Sequence, residues 1–181
     1  MTSGAVPEVG DTTDLLAGAE IHSGLLALLP LVGQWAGRGT VLVPATQQEQ
    51  PFAQRITFSH DGRPFLSYSS HSWLLAPDGT VLRLAFRETG FWRVGLTPAT
   101  DDDIEFTLAS AAGIVEILTG RAGDQRWDVA SGAVAITPTA KSVSGEHRLY
   151  AIMDGSLVYA QELAIEPGEF RPHLTATLAR V

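Results

Sequence analysis

Cysteine is absent from this 181-residue chain. Disulfides, iron–sulfur clusters, thiolate zinc sites and cysteine nucleophiles are therefore excluded. Positive charge is scarce: 12 Lys and Arg face 20 Asp and Glu, a net charge of −8. With no basic stripe, nucleic acid is not an expected partner. No apolar run approaches the ~20 residues needed to cross a membrane, so no membrane association is expected. The N-terminal stretch MTSGAVPEVGDTTD has neither the basic region nor the apolar region of a signal peptide, which makes the cytoplasm the expected compartment. No H-x-H, H-E-x-x-H or acidic ligand cluster marks a metal site built from protein ligands alone, and Gly-x-Ser-x-Gly is missing, so hydrolase chemistry has no local signal. The run Asp101–Asp103 reads as a solvated turn.

What is present is a folding composition, with 45% hydrophobic and 18% charged residues. The length suits a single domain with a real core. Residues 1–20 are small, acidic and polar and read as a flexible tail, leaving 21–181 as the domain. In HSGLLALLPLVG, Leu25, Leu28 and Leu29 recur at helical spacing, and Pro30 is expected to stop a short helical segment.

From Trp35 onward the pattern turns to short β segments cut by turn signals. QRITFSH ends at Asp61-Gly62, read as a two-residue hairpin turn, and RPFLSYSSHSWLL ends at Pro77-Asp78-Gly79. TVLRLAF, GFWRVGL, DIEFTLA, GIVEILT, RWDVASGAVAI, KSVSGEHRLYAI, SLVYAQELAI and HLTATLAR follow. In DIEFTLA, Ile104, Phe106 and Leu108 alternate with Glu105 and Thr107, so one face is buried and the other wet. The fold class is all-β. An antiparallel up-and-down barrel of about ten strands removes the exposed edges and is wide enough to hold a ligand.

Two segments carry the candidate site. GQWAGRG places Gly33, Trp35, Gly37 and Gly39 at alternate positions. Two roles are open for it: Trp35 plugs one end of the barrel while the glycines supply curvature, or the glycine face admits a flat ligand. FRPHLTATLAR starts the last strand with His173 directly after Pro172. Alone, that histidine reads as a capping or surface residue. His71 shares the parity of Phe65, Ser67 and Trp73 and is a pocket candidate. His60 reads as a turn residue, and His22 and His147 as surface residues.

G-x-W-x-G-x-G followed in order by PFLSY, RETGFWR, GIVEI, PTAKSV and HLTATLAR resembles the nitrobindin family over residues 29–181. The resemblance implies a ten-stranded antiparallel barrel, similar to the fatty-acid-binding proteins, with one haem b near its mouth. It implies that His173 ligates the iron and that Lys141, in the TAK segment, lies beside the haem. The activity implied is isomerisation of peroxynitrite to nitrate at a ferric, histidine-ligated haem. A nitric-oxide carrier or sensor, and a haem-free barrel holding a fatty acid or other apolar ligand, remain alternatives, and a homodimer stays open. The chain departs from the family pattern at two places: Phe86 in AFRETG and Ser110 in ASAAG stand where many relatives carry histidine. Phe86 is a further pocket candidate, and the site is expected to offer few imidazole donors to a bound anion.

Overall fold

Alternating burial decides the architecture. Along Leu66–Leu75, the side chains of Leu66, Tyr68, Ser70, Ser72 and Leu74 are buried, while those of Ser67, Ser69, His71 and Trp73 are half-exposed. Repeated strand after strand, this pattern gives one inner and one outer face. The computed structural model describes residues 10–43, 46, 48–94, 103–165, 167 and 169–181. Most of the expected tail (residues 1–9) and Asp101 and Asp102 lie outside the described residues.

Ten strands form the wall: β1 (Gly33–Val43), β2 (Gln48–Ser59), β3 (Leu66–Leu75), β4 (Val81–Val94), β5 (Asp103–Ser110), β6 (Ile114–Gly123), β7 (Arg126–Ile136), β8 (Gly145–Met153), β9 (Ser156–Ala164) and β10 (Phe170–Arg180). Each pairs antiparallel with its sequence neighbours, and β1 also pairs with β10, which closes the barrel. No described helix is long and apolar enough to cross a membrane.

Two segments expected as separate strands, TVLRLAF and GFWRVGL, form the single strand β4 as far as Val94, with Gly90 inside it. Gly90 is needed for close approach, since a Cβ there would collide with the Thr107 carbonyl oxygen of β5. The strand therefore curves at its glycine instead of breaking. Asp61-Gly62 is likewise not a two-residue hairpin, because β2 and β3 are joined through residues 60–65. Gly62 takes a positive φ of 88° in that loop. His60, expected at the turn surface, is 1% exposed and forms an isolated antiparallel bridge with Thr12. The Ser59 hydroxyl donates to Asp11 at 2.9 Å, so the segment before the helix covers this corner.

The lower end is plugged. Ser23–Leu31 is a 3-10 helix with Leu25, Leu28 and Leu31 fully buried. Three residues per turn line up positions i, i+3 and i+6, which is why Leu31 and not Leu29 completes the apolar face. Pro30 lies inside the last turn instead of stopping the run. It has no N–H for the Ala27 carbonyl, and Trp127 Nε1 donates to that oxygen at 2.8 Å. Trp35 Nε1 donates to the Leu31 carbonyl at 2.8 Å, and the Arg180 guanidinium lies 4.2 Å over the Trp35 ring. Both indoles are thus buried with their single donor satisfied.

Candidate functional site

The open end is built around an irregularity in β10. Pro172 has no N–H to give the ladder, and the register of β10 on β9 shifts between Pro172 and Leu174. His173 is the extra residue of that β-bulge. Bulges re-aim side chains, and this one lets His173 and the buried Leu174 both turn inward. The His173 ring meets Phe86 of β4 at 6.3 Å between centroids and 73° between planes. Phe86 also sits at an irregularity, where the β3–β4 register shifts between the pairs His71↔Arg87 and Trp73↔Leu84. Phe52 of β2 closes the group edge-on against Phe86, with centroids 6.5 Å apart. A Cβ on Gly39 would press on the Phe52 ring and collide with the Thr175 carbonyl oxygen. That glycine therefore gives the aromatic floor its room.

His173 is half-buried and has no hydrogen bond or ion pair among the described residues. Burial pushes its pKa down and the positive Arg148 adds to this, against the opposing charge of Glu88. The ring is thus neutral near pH 7 with a lone pair available, the form in which imidazole binds iron.

Beneath the mouth runs a buried charge cluster that sequence reasoning did not find. Arg148 of β8 donates bidentately to Glu88 of β4 at 2.7 and 2.9 Å. Its Nε lies 2.6 Å from Glu146 Oε1, an ion-pair contact rather than a well-directed hydrogen bond. Glu116 of β6 accepts from the Ser131 hydroxyl at 2.7 Å. Burial alone would raise the Glu88 pKa, but the charge and hydrogen bonds of Arg148 and the Tyr68 hydroxyl hold it below the usual value. Burial pushes Glu116 up and Glu146 up to about 7, where the neighbouring carboxylates add to the effect and Arg148 resists it. Nearby, Tyr159 donates to Gln54, and Gln54 to Ser70, at 2.8 and 2.9 Å. One signal was available: in GEHRLY, Glu146 and Arg148 share the parity of Tyr150, an inner-face position.

The remaining candidates separate by place. Lys141 is exposed in residues 137–144, which join β7 to β8 at the His173 end. Ser110 closes β5 at the same end, and its hydroxyl accepts from the Ala112 backbone N–H at 3.2 Å. His71 lines a pocket with Ser69, Arg87 and Ser110, but from the outer face of β3 and not beside His173. It alternates outward with Trp73 and stacks on that ring at 6.3 Å. Gly33 and Trp35 lie at the plugged end, away from His173. Gly37 meets the β10 backbone, where a Cβ would collide with the Thr177 carbonyl oxygen. His147, expected at the surface, is half-buried on the outer wall between Asp128 and Glu162. His22 caps the 3-10 helix through the Gly24 N–H at 3.0 Å.

A neutral imidazole without a partner, aromatic walls and space made by a glycine together fit a haem. His173 is the residue that could hold its iron, and Phe52 and Phe86 could flank the macrocycle.

Comparison with known proteins identifies the family of the barrel as a whole. The family described as "THAP4-like, heme-binding beta-barrel domain" matches residues 24–180. A "Ferric nitrobindin-like protein" of Saccharopolyspora erythraea is 41% identical, the match covering 97% of this chain and 82% of that protein. A "Peroxynitrite isomerase" of Salinispora tropica is 42% identical over 94% of this chain and 87% of its own length. A crystal structure from M. tuberculosis superposes with a TM-score of 0.77 at 30% identity, covering 90% of this chain and 99% of that one. A closed ten-strand wall with an inward histidine at its mouth and these full-length matches lead to one conclusion: the chain belongs to the nitrobindin-type, THAP4-like family of haem-binding β-barrels.

Proposed function

We propose that this protein isomerises peroxynitrite to nitrate at a ferric haem b ligated by His173, with one haem per chain. The observation that carries the reading is the bulged, neutral His173, without a hydrogen-bond partner among the described residues and facing the aromatic mouth. The relatives named peroxynitrite isomerase support it.

When bound, haem supplies a Lewis-acidic iron with one coordination position free of protein. The chain supplies the rest. His173 would hold the iron, and Phe86, whose ring meets it, has no lone pair to offer as a second ligand. Phe52 and Phe86 would give a bound haem an apolar wall and limit the access of water to it. Lys141, exposed in the loop at the same end, would serve as a charge-assisted donor to a haem propionate. Ser110 accepts from a turn N–H and keeps its own O–H as a donor at this end. The Phe52 and Phe86 rings add enclosure rather than donors.

The fatty-acid alternative is disfavoured by the same interior. Trp92 stacks on Phe106 at 4.5 Å and Tyr150 on Tyr159 at 4.9 Å, and the Arg148 cluster crosses the barrel beside them. An alkyl chain would have to displace these groups and lie against charge. Hemin titration followed by stopped-flow mixing with peroxynitrite tests the proposal. A ferric five-coordinate spectrum and nitrate formation faster than with free hemin are expected. Stoichiometric hemin uptake without acceleration would leave a nitric-oxide carrier as the better reading.

A further inference from the structure

One seam of the barrel is left unsewn. β7 and β8 pair from Arg126↔Ala151 only as far as Ala130↔His147. β7 continues to Ile136 with β6 on its other side, while β8 begins at Gly145. The β8-facing edge of Gly132–Ile136 therefore has no strand partner among the described residues, and residues 137–144, which include Lys141, span the notch. The notch opens at the His173 end, with β9 alone between β8 and β10. Past the last paired residues, the Ser131 side chain is the tie between the strands: its hydroxyl accepts from the Glu146 N–H at 2.8 Å and lies 3.2 Å from the Glu146 carbonyl oxygen.

At the root of this fork sits His147. Its Nε2 lies 2.7 Å from Asp128 of β7 and its Nδ1 lies 3.1 Å from Glu162 of β9. An imidazolium donates from both nitrogens, whereas a neutral ring donates from one. Only the charged ring can therefore clamp β7, β8 and β9 together.

We propose that the β7–β8 fork is a lateral gate to the haem site and that protonated His147 is its latch. This rests on the haem reading above. Partial burial pushes the His147 pKa down, but hydrogen bonds to Asp128 and Glu162 and their charge outweigh that and raise it. The folded value exceeds the unfolded one, so the latch is complete below the ordinary histidine pKa and is lost as pH rises through the raised value. The charged groups facing His147 are Asp128 and Arg126 on β7, paired at 3.4 Å, Glu162 on β9, and Arg121 of β6 in register with Asp128. Arg121 itself leans toward Asp103 at 3.8 Å. Glu146 titrates on the inner face beside it, so a variant series is needed to isolate residue 147.

The experiment measures two things from about pH 6 to about pH 9: amide-exchange protection of β7 and β8 in the apo chain, and hemin transfer from the holo chain to an excess of apo-globin. In the wild type, protection at Asp128–Ala130 and His147–Leu149 should fall and hemin transfer should quicken several-fold as pH rises. His147→Gln should be open and fast throughout, and His147→Arg closed and slow throughout, with Glu146 intact in both. Protonation of His173 also releases hemin, but on the acid side, and all three proteins share it. A wild-type protection profile that does not depend on pH, or that matches His147→Gln, overturns the latch. A fork that loosens with pH while hemin transfer stays constant overturns the gate. If wild type takes up no hemin, the haem reading and the gate fail together, and the exchange arm still decides the latch.

Discussion

Phe86 and His173 meet edge to face across the mouth, with ring centroids 6.3 Å apart, from strands separated around the wall by β1, β2 and β3. Each ring stands at a register irregularity of its strand. With metal–nitrogen bonds of roughly 2 Å, two imidazoles at that separation can share one metal ion. Phe86→His should therefore convert ferric hemin from a five-coordinate high-spin to a six-coordinate low-spin species and slow peroxynitrite decay. An electronic spectrum checks this, and an unchanged Soret band would show that residue 86 does not face the iron.

His173→Ala should remove axial ligation and leave the barrel standing. The half-buried ring has no hydrogen bond to lose among the described residues, and Leu174 onward keeps its pairing with β9 and β1. Stability should change by no more than ~1 kcal/mol. Hemin affinity should drop sharply, while Lys141→Ala should lower it only a few-fold and keep the wild-type spectrum. Urea melts and hemin titrations of both variants separate ligand from rim contact.

Trp35→Ala should harm folding and spare the mouth. The indole is buried at the plugged end and ties Leu31 to β1. Its loss should cost about 3–5 kcal/mol. The refolded fraction should still bind hemin with an unaltered spectrum. Normal melting with lost hemin affinity would make the G-x-W-x-G-x-G motif a direct haem contact instead.

Glu146 shapes the pH dependence of stability. Burial raises its pKa to about 7 in the fold, above the unfolded value for a glutamate. A raised acid stabilises the fold when protonated, so this contribution is present below the unfolded value and disappears as pH rises through about 7. Glu146→Gln should flatten that slope in urea midpoints collected across the range. A slope that survives the substitution would point to Glu116, whose pKa burial also raises.

Arg148→Met should be among the most damaging single changes. It strands Glu88 and Glu146 without their shared cation inside the barrel. Breaking a buried ion group costs about 3–5 kcal/mol. Adding Glu88→Gln and Glu146→Gln to Arg148→Met should recover part of the loss, which thermal melts of the triple variant would show.

Local chemistry determined much of this protein without any help from tertiary structure. Period-2 alternation in stretches such as DIEFTLA depends only on which side chains avoid water, so all-β character and a barrel were legible, as was the turn at Gly79; the helical segment was legible too, but its 3-10 pitch moved the buried face from Leu29 to Leu31. The family was legible through ordered motifs, which together with the preceding proline singled out His173 as the proposed ligand. What tertiary structure alone decided is where strands slip. A bulge depends on how two strands register, not on either one's own sequence, so neither the inward turn of His173 nor its meeting with Phe86 could be read from a single chain segment. His71 went outward for the same reason, since parity names two faces but only closure says which is inside. The Arg148 cluster lay hidden because charged residues in alternation read as a wet face. They became an interior only when closure brought Glu88 of β4 onto Arg148 of β8, and the Ser131 hydroxyl of β7 onto Glu116 of β6.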